Sequence, residues 1–157
     1  TRFNSIIKSK ESLNIFIGLT WDSKNLINEE GNFIFDNNFE IRKNSINFLI
    51  NELEKNKKNV FLIGPIPQPN YDFPSEYSRR LIFNANKYAM EKSRKSFDKK
   101  YSEIINYYEK KLGKNFIQPH KKLCDNKSCF FADKKGAFFS DSNHLSKYGA
   151  MKILPLF

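Results

Sequence analysis

The sequence predicts an α/β fold, a three-layer sandwich in which helices cover a central parallel sheet. Two short apolar runs, at 13–21 and 60–65, have the composition of buried strands. Between them, residues 41–56 place apolar side chains at helical spacing. Strand, helix and strand in this order form a βαβ unit, which favours parallel pairing with the helix packed on one face of the sheet.

Length and composition indicate one domain with a substantial core. A chain of 157 residues fits one folding unit, and a hydrophobic content of 39% excludes a disordered chain. There is no apolar run of about 18 residues that could span a bilayer, and no signal-peptide pattern. We therefore expect residues 1–157 to form a single domain and, since the chain begins at Thr1 within ordinary sequence, to be part of a longer protein.

The central elements follow from turn residues and helical spacing. Residues 22–40 are polar and irregular, and residues 68–74 form a proline-rich loop after the second strand, where ligand-binding loops lie in open α/β sheets. A long helix is expected over 75–112, ending at Gly113. The residues expected on its inward stripe, as core packing, are Tyr77, Leu81, Tyr88, Ile104, Ile105 and Tyr108.

The C-terminal elements are shorter. A strand is expected near 115–118, and residues 137–139 form a brief extended piece. A terminal helix follows over 146–154, with Ser146 well placed as its N-cap and Pro155 at its end.

The formal net charge of +10 raises the question of a polyanionic partner. The lysines are scattered along the chain, which favours an exposed basic surface over a nucleic-acid site. No nucleic-acid-binding signature occurs in the sequence. We therefore expect no nucleic-acid partner.

The two cysteines, Cys124 and Cys129, are separated by polar, turn-prone residues. A disulfide is favoured, and it indicates an oxidising compartment such as a bacterial periplasm. The alternatives are a pair of buried thiols and half of a zinc site. The zinc site lacks a second Cys/His pair at the required spacing, and His120 and His144 stand alone.

Asp141 and His144 lie three residues apart in a loop between an extended piece and a helix. In such a loop Asp141 can hold one tautomer of the His144 ring, and the other ring nitrogen can take a proton from a serine hydroxyl. An isolated Asp-x-x-His pair also occurs in capping and surface roles. The surrounding sequence decides between these interpretations.

The string Asp-x-x-His-Leu-Ser followed by Gly-Ala, within residues 139–150, resembles the last sequence block of SGNH (GDSL-like) hydrolases. The version it resembles belongs to SGNH domains fused behind acyltransferase-three membrane proteins. The strand that ends at Trp21, the strand and loop at 60–67 and the two-cysteine loop agree with this resemblance. It implies a flavodoxin-like SGNH fold, with Asp141 as the acid and His144 as the base of a catalytic triad.

The family nucleophile is a serine in a Gly-Asp-Ser motif after the first strand, and this motif is absent here. Ser23 follows Asp22, but Trp21 stands in the place of the glycine, and the pair follows a strand too late in the order. We therefore expect the chain to be the C-terminal portion of the domain. Its first strand and serine should precede Thr1, and the chain by itself should be inactive.

The oxyanion donors are not identified by the sequence. Gly18 and Trp21 lie at the strand end where the family carries a Gly-x-Asn-Asp motif, without its asparagine. We expect both residues to belong to the substrate pocket, with Trp21 lining the acyl site. A buried core tryptophan is the alternative.

The resemblance implies a serine-type acyltransferase, an O-acetyltransferase that modifies a cell-surface polysaccharide or lipopolysaccharide. Its acetyl donor is delivered by a membrane acyltransferase domain, its acceptor is a glycan, and no cofactor or metal is expected. The full-length protein is expected to be periplasmic or extracytoplasmic, tethered to the bacterial inner membrane. The alternatives are an SGNH carbohydrate esterase and a non-catalytic binding domain that lacks the serine.

Overall fold

The computed structural model describes residues 2–21, 25–28, 30–35, 39–69, 71–83 and 90–157. Asp22 and Ser23, the Asp-Ser pair after Trp21, and Tyr88, expected on the inward stripe of the long helix, lie outside these ranges. In chain order the helices and strands are α1 (Arg2–Lys8), β1 (Asn14–Ile17), β2 (Asn25–Ile27), β3 (Phe33–Phe35), α2 (Glu40–Lys55), β4 (Asn59–Ile63), α3 (Phe73–Ile82), β5 (Glu91–Ser93), α4 (Arg94–Leu112), β6 (Phe116–Ile117), α5 (His120–Leu123), β7 (Ser128–Phe130), β8 (Ala132–Asp133), β9 (Gly136–Ala137) and α6 (Lys147–Ile153).

A parallel three-stranded sheet of order β1-β4-β6 confirms the predicted α/β class. Strands β1 and β4 pair in parallel register from Asn14 opposite Asn59 to Ile17 opposite Leu62. β4 has the expected buried strand pattern, but β1 alternates between exposed and half-buried residues. Phe16 of β1 is 47% exposed. The prediction that the whole first apolar run is buried is therefore wrong for β1.

The segment 22–40, expected to be irregular, contains a hairpin. Strands β2 and β3 pair antiparallel, with Ile27 opposite Phe33. In the connecting turn, the Asn28 side chain accepts a hydrogen bond from the backbone N–H of Asn32, and Gly31 has a φ of 85°. A left-handed residue of this kind favours glycine.

The long helix predicted over 75–112 is two helices, α3 and α4, with strand β5 before α4. β5 pairs antiparallel with β7, placing Glu91 opposite Phe130 and Ser93 opposite Ser128. Strand pairing across the sequence therefore overrides the local helical pattern. α4 ends at Leu112, and Gly113 follows with a φ of 53°, as the sequence predicts for a C-terminal glycine.

The chain divides into two compact units, and the first comprises Thr1–Ile63 and Asn106–Phe116. Its core includes the apolar face of α2, predicted correctly from helical spacing, with Ile46, Ile50 and Leu53 buried. The ammonium group of Lys58 is also buried here, and it donates two hydrogen bonds of 2.6 Å to backbone carbonyls. These bonds compensate for the lost hydration of the charge.

The second unit comprises Gly64–Ile105 and Ile117–Phe157. Its core is aromatic: the Phe73 and Phe131 rings meet edge to face at 6.1 Å, and those of Phe131 and Phe139 at 5.6 Å. A disulfide joins Cys124 to Cys129, which confirms the prediction for the two cysteines. This unit also carries the loop that contains Asp141 and His144.

Candidate active site

A tightly bonded loop, residues 138–146, connects β9 to α6. The Ser146 N–H donates to the Phe138 carbonyl at 2.8 Å, and the Ser140 N–H donates to the His144 carbonyl at 2.9 Å. Phe139 and Leu145 form a β-bridge between these two bonds. The two ends of the loop are thus held together like a short hairpin.

Helix α6 begins against the base of this loop. Ser146 is its N-cap, as predicted: its Oγ accepts from the Gly149 N–H at 3.0 Å and donates to the Ala137 carbonyl at 2.7 Å. Gly149 is buried, and a Cβ atom added there would lie 2.0 Å from the Phe138 carbonyl oxygen. Only a glycine lets α6 approach this backbone so closely.

The loop brings the predicted pair, Asp141 and His144, into direct contact. Asp141 Oδ2 and His144 Nδ1 are 2.6 Å apart. Asp141 Oδ1 accepts from the backbone N–H groups of Asn143 at 2.8 Å and His144 at 2.7 Å. Because the backbone donors occupy one carboxylate oxygen, the other is left facing the ring.

These hydrogen bonds hold Asp141 in its ionised form. The backbone N–H groups of Asn143 and His144, followed by the His144 ring, lower the pKa of Asp141 to about 2. An ionised carboxylate can only accept, so the proton of this contact resides on Nδ1. In the neutral ring, Nε2 then carries the lone pair and can accept a proton from a substrate or a nucleophile.

The pair is open to solvent, with 76% of the His144 side chain and 48% of the Asp141 side chain exposed. Within the described residues, the His144 ring hydrogen-bonds only to Asp141, and no serine hydroxyl reaches it. Ser140 Oγ bonds instead to the His144 carbonyl, at 3.2 Å. The described residues therefore hold the His144 imidazole in one orientation, with no serine hydroxyl in hydrogen-bond contact with its ring.

A second polar cluster, which the sequence does not predict, joins α6 to β8. Tyr148 Oη donates to both carboxylate oxygens of Asp133, at 2.9 and 2.8 Å, and Lys152 Nζ lies 2.7 Å from Asp133. Burial acts to raise the pKa of Asp133, but the bonds from Lys152, the Lys135 N–H and Tyr148 together lower it to about 2. The cluster ties β8 to the helix that follows the loop.

Trp21 and Gly18 belong to the first unit, whereas Asp141 and His144 belong to the second. Trp21 is buried, and its Nε1 donates to the Ile63 carbonyl at 3.0 Å. Gly18 is exposed, and a Cβ there would meet Ile63 at an ordinary contact distance of 3.7 Å. The substrate-pocket role of both residues stays a prediction.

Among the described residues, no group of three or more His, Cys, Asp or Glu side chains is arranged to hold a metal ion. None of the helices in these ranges has the length and apolar character needed to cross a membrane.

A family model described as the SGNH domain fused to AT3 domains matches residues 2–157. The chain belongs to this SGNH domain family. The SGNH domain is similar in structure to the periplasmic domain of a lipopolysaccharide acetyltransferase of Salmonella ser. Paratyphi A, with a TM-score of 0.65 and 16% sequence identity. This match covers 98% of the SGNH domain and 58% of the Salmonella chain. A comparison with curated proteins gave no match.

Proposed function

We propose that this SGNH domain is the acyl-transferring part of an O-acetyltransferase that modifies a cell-surface polysaccharide or lipopolysaccharide. The observation that carries the proposal is the hydrogen bond between Asp141 and His144, which orients an imidazole for proton transfer. Membership of a family fused to AT3 domains, and the likeness in fold to a lipopolysaccharide acetyltransferase domain, support the reaction and substrate class.

In the proposed reaction, Nε2 of His144 takes the proton of a serine hydroxyl as the serine oxygen attacks the acetyl carbonyl. The bond from the carbonyl carbon to the donor's leaving group breaks, and the leaving group receives the proton from Nε2. A glycan hydroxyl then gives its proton to Nε2 and attacks the acyl-serine, and the departing serine oxygen regains the proton. Asp141 stays ionised and stabilises the imidazolium of each stage.

In this proposal the serine belongs to sequence outside the 157 residues, since no Gly-Asp-Ser motif occurs among them. The acetyl group is delivered by a membrane acyltransferase domain of the full-length protein, as the family's fusion to AT3 domains suggests. The disulfide suits a periplasmic or extracytoplasmic location, with tethering to the inner membrane through the fused domain.

The decisive test replaces the base in the full-length protein. His144→Ala should reduce acetyl transfer to lipopolysaccharide, measured by mass spectrometry of the glycan, at least a hundredfold, because the serine loses its proton acceptor. Lys147→Ala is the matched control, since it removes a neighbouring exposed side chain and leaves the base intact. A loss of threefold or less in the folded His144→Ala protein contradicts the assignment.

A second comparison separates the three functional hypotheses. The 157-residue chain and an N-terminally extended chain are assayed for release of acetate from an acetyl ester and for acetyl transfer to a glycan. Activity in the shorter chain contradicts the external nucleophile. Free acetate without acetylated glycan supports the esterase, and a folded but inactive extended chain supports the non-catalytic binding domain.

A further inference from the structure

A cavity of about 450 Å³ lies in the second unit, between the residues around the disulfide, strands β7 and β8, and helix α6. Its volume is within the range of pockets that bind small ligands. None of the chemistry assigned to Asp141 and His144 uses this cavity.

The floor of the cavity is apolar. Its lining includes Leu123 and Phe138, which are buried in the aromatic core, and Phe130, which is half-buried. The disulfide closes the segment 124–129 into a short loop at the wall. A fixed wall with a partly exposed ring suits a flat, rigid ligand whose C–H face packs on aromatic carbon.

The rim of the cavity carries an excess of positive charge. Lys152 is neutralised by Asp133, 2.7 Å away. Lys122 and Lys134 are exposed, and within the described residues neither pairs with a carboxylate. The remaining acid is Asp125. Its Oδ1 accepts hydrogen bonds from two backbone N–H groups, each at 2.7 Å, so its Oδ2 can accept a hydrogen bond from a ligand.

We propose that this cavity binds a segment of an anionic oligosaccharide. The apolar face of one sugar ring packs on Phe130, its carboxylate or phosphate lies between Lys122 and Lys134, and a ring hydroxyl donates to Asp125. An acyl chain fits this set of groups less well, because it offers no hydroxyl to Asp125 and its flexibility must be lost on binding.

The cavity is mechanically joined to the loop that carries His144. Phe138 forms part of the floor with its side chain, and its carbonyl accepts the Ser146 N–H at the base of the loop. Lys152, which also lines the cavity, lies on α6, the helix that begins directly after that loop. A glycan held here would therefore contact the same loop and helix that position the imidazole.

Binding can be measured without acyl transfer, so the test does not depend on the proposed reaction. Titration calorimetry with trigalacturonate, a chain of three anionic sugars, should detect binding that weakens as salt is raised. Maltotriose, which is uncharged, should bind at least tenfold more weakly. The double variant Lys122→Gln/Lys134→Gln should weaken trigalacturonate binding at least tenfold.

The matched control is Lys110→Gln/Lys114→Gln, which removes the same charge from exposed positions outside the cavity. It should change the affinity by twofold or less, and Lys122→Arg/Lys134→Arg should retain most of it. Absence of trigalacturonate binding, or an equal loss in the two glutamine variants, overturns the site. Tighter binding of dodecyl phosphate, with displacement of trigalacturonate, also overturns it by assigning the cavity to an amphiphile.

Discussion

Replacement of Gly149 by alanine has two opposing effects on the free energy of unfolding. Helix propensity favours alanine, whereas the tertiary contact with Phe138 disfavours it. In the helix, alanine is favoured over glycine by about 1 kcal/mol. Against this, the new Cβ would lie 2.0 Å from the Phe138 carbonyl oxygen and 2.8 Å from the carbonyl carbon. Both atoms are backbone, so α6 must move by about 1 Å, at an overpacking cost of about 1–3 kcal/mol.

The same movement strains the bond from the Ser146 N–H to the Phe138 carbonyl, worth about 1 kcal/mol. We therefore expect Gly149→Ala to lower the free energy of unfolding in urea by about 1–3 kcal/mol. Gly136→Ala is the control, because its Cβ would meet Tyr148 at an ordinary 3.5 Å, and we expect a change below about 0.5 kcal/mol. A Gly149→Ala protein as stable as the wild type, or more stable, refutes the reasoning.

Two further predictions concern the carboxylates beside α6. NMR of the Asp141 carboxyl carbon should give a pKa of about 2. In His144→Ala this pKa should stay well below its ordinary value, because backbone N–H groups are the largest causes of the shift. A return of the pKa to its ordinary value in this variant contradicts the prediction. Tyr148→Phe should cost about 1 kcal/mol of unfolding free energy near neutral pH, since it removes the hydroxyl that bonds Asp133. The folded pKa of Asp133 is depressed to about 2, so this stabilisation is complete above about pH 4 and lost as the pH falls through 2. If urea unfolding shows that Tyr148→Phe loses as much unfolding free energy at pH 2 as at pH 7, this prediction is contradicted.

The fold could be predicted from the sequence where an element's own residues determine its structure, and not where a distant partner does. The strand β4 and the helix α2 carry their apolar residues at the period of their own element, and both were predicted near their observed bounds. The predicted helix over 75–112 failed because β5 forms through pairing with β7, a partner more than thirty residues away. Pairing of that kind leaves no trace in the local spacing of residues.

The candidate site likewise has a part that the sequence predicts and a part that it does not. Contact between Asp141 and His144 was predictable, because a separation of three residues within one loop brings the two side chains together by local geometry. The cluster of Asp133, Tyr148 and Lys152 was not, because its members come from a strand and a helix that meet only in the folded unit. The spacing of these residues in the sequence does not predict their contact.

The exposed position of the imidazole raises the question of what fixes it, since burial does not. The Asp141 carboxylate is fixed by two N–H groups of its own loop, so the ring receives its orientation from the backbone and not from a surrounding core. The loop is in turn fixed at its base, where the Ser146 N–H bonds the Phe138 carbonyl and Gly149 allows α6 to pack against it. An imidazole held in this way is pre-organised while its ring stays exposed, so the proposed reaction requires no rearrangement of the described residues for its nucleophile and acceptor to reach Nε2.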